Sequence, residues 1–336
     1  NEQVKNLIDQ ATDESLRGAI QPREVIIALL ELDPCSEEVE YLKECAAKVA
    51  HAASKDRASL SGAIGVDLRS CDMNCKFCSF AVCNGLRKKL FELDAEDVKR
   101  YCDLYQEQGA NLVLMLATAS YPFAKFLEMT EVARSVLDPA MPLLANYDDV
   151  TPDQARQMKE AGIDGAYHAV RMREGVDTGI PVAKRLETLA NLKAAELTLS
   201  TCVEPIGPEH TPVELTEATR RCIESEPVSG GAGRRIAVPG TQMADRGMFN
   251  YVHAAFFVAV YRLASGLQPR LNCSAHSTVV ANAGGNLSWA EVGTNPRDTV
   301  ARTERGGNGM GVRESQKVFR DSEWELLEGP SPGWML

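Results

Sequence analysis

The chain has no apolar run long enough to cross a bilayer, which takes about 20 residues. Its longest candidate, Tyr251 to Leu263, is interrupted by His253 and Arg262 and reads as a buried helix. It also has no surplus of positive charge. Thirty-six Lys and Arg stand against 47 Asp and Glu, a net charge of −11, which argues against nucleic acid or an anionic membrane as partner. The N-terminal Asn-Glu-Gln-Val-Lys has no signal-peptide pattern. Ten cysteines without such a signal point to a reducing compartment, the cytoplasm, and to thiols rather than disulfides. No low-complexity linker divides the 336 residues, so one domain is expected.

What is present begins with helix. Val4, Leu7 and Ile8 recur at helical spacing, Pro22-Arg23-Glu24 opens a second helix, and Ser36-Glu37-Glu38 caps a third that runs to about Ala53. Strand and helix patterns then alternate. Strands are expected at Ile64–Leu68, Asn111–Ala117, Pro142–Asn146, Gly165–Val170, Leu197–Val203, Arg235–Val238, Gln268–Leu271 and, least regular, near Thr278–Ala281. Thr151-Pro152 and Thr211-Pro212 both read as helix starts, with Thr as cap and Pro in the first turn. Apolar strands alternating with helices predict an α/β fold, a parallel sheet closed into a (β/α) TIM-type barrel. The expected division is a helical lead-in over 1–55, a barrel over 60–287 and an irregular C-terminal cap over 288–336, all within one domain.

The densest chemical signal is Cys71, Cys75 and Cys78 in CDMNCKFC, directly after the first strand. Three thiolates so close in sequence can hold one face of a four-iron cluster and leave the fourth iron open. An open metal position marks a catalytic site, as it does for zinc. Zinc with Cys83 as fourth ligand is the alternative, although zinc sites usually pair C-x₂-C units and the first gap here is three. Buried packing thiols are the other alternative.

This C-x₃-C-x₂-C spacing resembles that of the radical S-adenosylmethionine (SAM) superfamily. The lead-in, barrel and cluster loop together are similar to its biotin synthase-like branch, over roughly residues 20 to 300. That branch includes biotin synthase, the hydrogenase-maturation protein HydE, methylornithine synthase, a hydrogenase-cofactor methylase and archaeal-type lipoyl synthases. The resemblance implies a [4Fe-4S] cluster on Cys71, Cys75 and Cys78 whose open iron chelates SAM, with Phe77 near the adenine. It implies SAM contacts at the end of strand four, with Glu174 on the ribose and Arg171 or Arg173 on the carboxylate. It places Ile206 and Gly207 against the adenine, and Gly240 in a turn after strand six. Ala283-Gly284-Gly285-Asn286 matches a further glycine-rich segment. The alternative for Arg171, Arg173 and Glu174 is a solvated, salt-bridged loop; the glycine matches are also ordinary turn chemistry.

The chain departs from biotin synthases, which bind a second cluster inside the barrel through cysteines on several strands. Strands two and three here carry Leu114-Met115-Leu116 and Leu143-Leu144-Ala145. Cys202 and Cys273 remain as candidate ligands for a second iron–sulfur cluster, with packing thiols as the alternative; His276 lies near Cys273 in sequence. Cys35, Cys45, Cys102 and Cys222 read as packing residues. The expectation is a radical SAM enzyme of cofactor biosynthesis, with sulfur insertion of the biotin or lipoyl type leading. Carbon-skeleton rearrangement or methylation with one cluster competes, and a non-catalytic iron–sulfur protein is the non-enzyme reading. Expected partners are a small-molecule substrate or carrier-bound cofactor precursor and a reductant such as flavodoxin or ferredoxin, with no nucleic acid and no membrane.

Overall fold

Eight parallel strands close on themselves among the described residues, 1–87 and 89–330 of a computed structural model. They are β1 (Arg57–Gly65), β2 (Leu112–Leu116), β3 (Leu143–Asn146), β4 (Gly165–Tyr167), β5 (Thr198–Ser200), β6 (Ser229–Arg234), β7 (Leu271–Cys273) and β8 (Leu287–Gly293). β1 pairs with β2 in the register Ala63↔Leu114 and with β8 in the register Ser61↔Trp289. Leu271↔Ser229 joins β7 to β6 and completes the ring. The helices are α1 (Glu2–Leu16), α2 (Arg23–Leu30), α3 (Glu37–Ser54), α4 (Ala95–Glu107), α5 (Phe123–Arg134), α6 (Pro152–Glu160), α7 (Val182–Ala194), α8 (Pro212–Glu224), α9 (Tyr251–Ser265), α10 (Thr278–Ala281) and α11 (Val312–Arg320). None of them is long and apolar enough to cross a membrane.

Local sequence explains the helix starts. Thr151 and Thr211 each cap a helix through a reciprocal bond, with Gln154 and Glu214 as the returning side chains. Helix α9 is apolar on all sides because it is covered on all sides. The barrel packs on its inner face, and Ile8, Ile26, Leu29, Leu42 and Val49 of the lead-in cover the outer one. Its Arg262 lies fully buried and donates to the carbonyls of Gly266 and Pro269 at 2.9 and 2.7 Å.

Four strand expectations shift, among them the seventh, which runs Leu271–Cys273 rather than Gln268–Leu271. The first strand begins at Arg57, before the expected barrel limit. The sixth is Ser229–Arg234, upstream of Arg235–Val238, and three of its residues are glycines. Glycine is needed there because β7 approaches closely. A Cβ on Gly231, whose φ is +145°, would stand 1.9 Å from the Cys273 carbonyl oxygen. Such a strand carries no hydrophobic alternation to read. The eighth is Leu287–Gly293, not Thr278–Ala281, which forms α10. β8 faces Leu287 and Trp289 into the barrel and Ala290 and Val292 outward. Polar Glu291 interrupts its pattern. Apart from Leu287, β8 therefore lies inside the region expected as cap, and residues 331–336 of that cap lie outside the described residues.

Candidate active site

The cluster loop leaves the end of β1 and returns to α4. Asp67–Leu68 pairs antiparallel with Phe91–Glu92 and pins the base of the loop. The buried Asp67 carboxylate accepts from the Thr118 amide at 2.8 Å, the Thr118 hydroxyl at 2.7 Å and Arg69 at 2.8 Å. Within the loop, Cys71 N–H donates to Phe80 O, Val82 N–H to Cys71 O and Cys78 N–H to Cys75 O, all at 2.8–2.9 Å. Phe80 N–H donates to the Cys78 sulfur at 3.4 Å. The turn after β6 clasps the loop from the side: Gln242 N–H reaches Asn84 Oδ1 at 2.9 Å. Gly240 (φ +84°) belongs to that turn, and a Cβ there would meet Leu86 at 2.7 Å. Gly240 thus brings the loop close.

Burial first, then the charges of neighbouring thiols, pushes the Cys75 thiol well up; Arg171 draws it back down. Burial pushes Cys78 up to about 12, against the pull of the Phe80 N–H and Arg171. Cys71 is raised by burial against N–H bonds from Met73 and Ala119. Buried thiols of this kind become thiolates only beside a bound cation. Donors for a single zinc ion would sit about 3.8 Å apart, given ~2.3 Å tetrahedral bonds. Among the described residues, only Asp177, Glu209 and His210 bring three metal-capable atoms within 4.8 Å of one another. The three sulfurs are more widely spread, which suits corners of a cluster better than a single ion. Cys83 is exposed, and the charge acting on it is Lys76. The donor set therefore fits an iron–sulfur cluster on Cys71, Cys75 and Cys78.

Below the loop, the barrel mouth is lined by ion pairs. Arg171, after β4, pairs with Glu204, which also accepts from the Tyr167 hydroxyl. Arg297, after β8, pairs with Glu291 and is steadied by Asn295 Oδ1 at 2.9 and 3.1 Å. Arg171, Glu204 and Arg297 keep 22%, 29% and 35% of their side-chain surface accessible, so these charges face a space that a ligand can enter. Tyr167 and Trp289 meet edge to face at 6.4 Å. On the rim, Asp149 accepts from Thr188 at 2.8 Å and lies 3.2 Å from His168 and 3.4 Å from Arg185. Neighbouring Asp148 is pushed up to about 6 by burial.

The expected SAM contacts divide. Arg171 is in the mouth, and Phe77 is half-buried on the cluster loop. Arg173 is turned away and bound to Glu214 of α8 at 2.7 Å. The Glu174 side chain has no accessible surface. It accepts from Arg171 N–H at 2.8 Å, from the Thr178 hydroxyl and from Arg185 at 3.3 Å, so it ties the loop together from inside. Ile206 packs in the core under the lead-in. Gly207 donates to His210 Nδ1 at 3.0 Å and lies against Arg235 and Glu209. Cys202 and Cys273 do come together, their sulfurs 3.6 Å apart, but in a shell with Leu112, Leu114, Leu144, Leu271 and Leu287. Two thiols leave a two-iron cluster short of its usual four ligands. His276 is near Arg297 and Arg234.

Glu204, Glu291, Arg297, Tyr167 and Trp289 were not singled out in the sequence. Tyr167 lies four residues before Arg171, and Glu204 two before Ile206, both beside positions that the resemblance names. Glu291 and Arg297 were hidden because strand eight was placed too early; a lone Glu inside a Leu-Ser-Trp-Ala-Glu-Val strand pattern was the available signal.

Residues 66–222 match the radical SAM superfamily. The biotin synthase of Desulforudis audaxviator (strain MP104C) is 28% identical over 221 residues, 62% of this chain and 65% of that protein. The chain thus spans slightly less than two thirds of that relative's length. The biotin synthase of Rippkaea orientalis (strain PCC 8801 / RF-1) is 24% identical over 287 residues, 78% of this chain and 74% of that protein. Among solved structures, methylornithine synthase (PylB) aligns with a TM-score of 0.76 at 17% identity, covering 93% of this chain and 95% of that one. The [FeFe]-hydrogenase maturase HydG from Carboxydothermus hydrogenoformans aligns at 0.74 and 15%, covering 97% and 80%. At these identities the structural likeness speaks to the fold.

Proposed function

We infer that this chain belongs to the radical SAM superfamily, in its biotin synthase-like branch, and on that premise propose that it abstracts hydrogen from an unactivated C–H bond of a small, charged molecule with a single cluster. A [4Fe-4S] cluster with SAM, when bound, supplies the electron and the 5′-deoxyadenosyl radical for that abstraction. Cys71, Cys75 and Cys78 would hold it. The observation carrying this reading is the set of three half-buried, spread thiols beside Arg171 and above a mouth lined with paired charges. Arg171 suits a carboxylate and Glu204 an ammonium group, as the methionine part of SAM requires. Arg297 and Glu291 offer a second such pair to the substrate. Tyr167, Trp289 and the leucine floor limit water below the reacting centre. A flavodoxin or ferredoxin type of donor would supply electrons, in the cytoplasm.

For the step after abstraction we assign carbon-skeleton rearrangement ahead of sulfur insertion. Leu112, Leu114 and Leu144 pack in one cluster with Cys202 and Cys273, where a sulfur-donating second cluster would need room. The biotin synthase relatives favour sulfur insertion as the second reading. Anaerobic reconstitution followed by SAM and dithionite tests the main claim. Wild type should form 5′-deoxyadenosine, and the triple Ala variant of Cys71, Cys75 and Cys78 should form none. Iron-loaded wild type that makes none would sink the proposal. Iron should be about four per chain in wild type and near zero in the triple variant; substantial iron left in that variant would restore sulfur insertion.

A further inference from the structure

We propose that Cys202 and Cys273 form a redox-active dithiol beneath the barrel mouth, and that one of them gives a hydrogen atom to a carbon radical formed above it. The proposal rests on the radical reading above. The two residues are far apart in sequence. Cys202 lies where the chain leaves β5 for the Val203–Ile206 segment, and Cys273 ends β7. Barrel closure sets their sulfurs 3.6 Å apart, in contact, with residue exposures of 4% and 2%. A disulfide bond is about 2.05 Å, so a small inward movement of both side chains closes one. Cys222, the other thiol nearby, is engaged 3.3 Å from the Tyr261 hydroxyl.

The pair is continuous with the mouth. A Cβ on Gly233 would stand 3.4 Å from Glu204 Oε2 and 3.7 Å from the Cys202 sulfur, so the carboxylate and the thiol flank one glycine. Glu204 in turn holds Arg171 and Tyr167. Tyr167 packs against the apolar cluster that contains both cysteines. Burial keeps Cys202 as S–H rather than thiolate, which makes it a poor nucleophile but leaves it able to give a hydrogen atom, since S–H is weaker than C–H.

The step balances as follows. The carbon radical takes hydrogen from one thiol, forming C–H and breaking S–H, and leaves a thiyl radical. The second sulfur bonds to it and releases its proton to Glu204. The extra electron leaves to a soluble one-electron carrier of the flavin or iron–sulfur class, and a disulfide remains. A dithiol reductant returns two electrons and two protons and restores both thiols. A single thiol would leave the thiyl radical without a bonding partner, which accounts for the pairing.

Two measurements on the full chain test this. Anaerobically reconstituted protein is treated with diamide, quenched in acid with N-ethylmaleimide and mapped by mass spectrometry. A Cys202–Cys273 cross-linked peptide that disappears with dithiothreitol is expected. Free thiols at both positions, or a cross-link to Cys222 instead, overturns the pair. The second uses SAM and dithionite in D₂O without added substrate. Wild type should yield 5′-deoxyadenosine carrying one deuterium. The label should fall at least about fivefold in whichever of Cys202→Ser and Cys273→Ala removes the donor, both checked for wild-type thermal unfolding. Equal labelling in variants and wild type overturns hydrogen donation even if the disulfide forms. No 5′-deoxyadenosine from any of the proteins overturns the radical reading, and hydrogen donation with it, while the disulfide result stands apart.

Discussion

Replacing Glu174 with Ala separates a SAM-binding role from the structural role seen in the fold. Its carboxylate has no accessible surface, and its partner Arg185 keeps 11%. The change strands a guanidinium in a dry interior and orphans the Arg171 N–H, 2.8 Å away, and the Thr178 hydroxyl. Removing one partner of a buried pair costs about 3–5 kcal/mol. Arg185 retains Asp149 at 3.4 Å, which places the loss toward the low end. A domain of this size loses about 2 °C in Tm per kcal/mol, so a drop of roughly 6–7 °C is expected. The assay is thermal unfolding of cluster-free, SAM-free protein, where ligand binding contributes nothing. Glu174→Gln keeps an acceptor for Arg171 N–H and should recover part of the loss. Weakened SAM binding with Tm within about 1 °C of wild type would refute the structural reasoning and return Glu174 to the ribose.

Arg173 holds the carboxyl of Glu214 down to about 2, from an ordinary 4.5. A carboxylate with a depressed folded pKa stabilises fully above pH 4.5 and loses that contribution as pH falls toward 2; Glu214→Gln should flatten the acid arm of a stability profile over that window, and an unchanged arm would count against the pair. Burial first, then Arg297 and Arg234, pull the His276 imidazole down to about 3 from 6.5. The native protein then resists a proton that the unfolded chain accepts, so stability falls as pH drops from about 6.5 toward 3, and His276→Gln should reduce that slope in urea titrations at stepped pH. Gly231→Ala drives a Cβ to within 1.9 Å of the Cys273 carbonyl oxygen at a positive φ; loss of soluble, cooperatively unfolding protein is expected, and near-wild-type unfolding would show that β6 and β7 can separate.

Short-range chemistry was legible in the sequence. The cysteine spacing is set by one loop's geometry, and the Thr-Pro helix starts are completed within four residues, so both could be read locally. The buried helix α9 was legible because no solvent-facing stripe interrupts it. Glycine-rich β6 and Glu-bearing β8 were not, because their inward positions answer to close backbone approach and to charge in the mouth rather than to hydrophobic burial. Arg173 and Glu174 show the same limit within one segment: both suit an anion or a hydroxyl by type, and only their partners on α8 and α7 turn them away from the mouth.

The barrel and the helical lead-in, like the close spacing of the three cluster-loop cysteines, follow from local chemistry, since periodicity, caps and ligand spacing act over a few residues. Which charges meet in the mouth, and the contact of Cys202 with Cys273, follow only from the closed barrel. Arg171 with Glu204, and Cys202 with Cys273, come from different strands, so their contact depends on the register at which the barrel closes, a property of the whole ring of hydrogen bonds rather than of any local stretch.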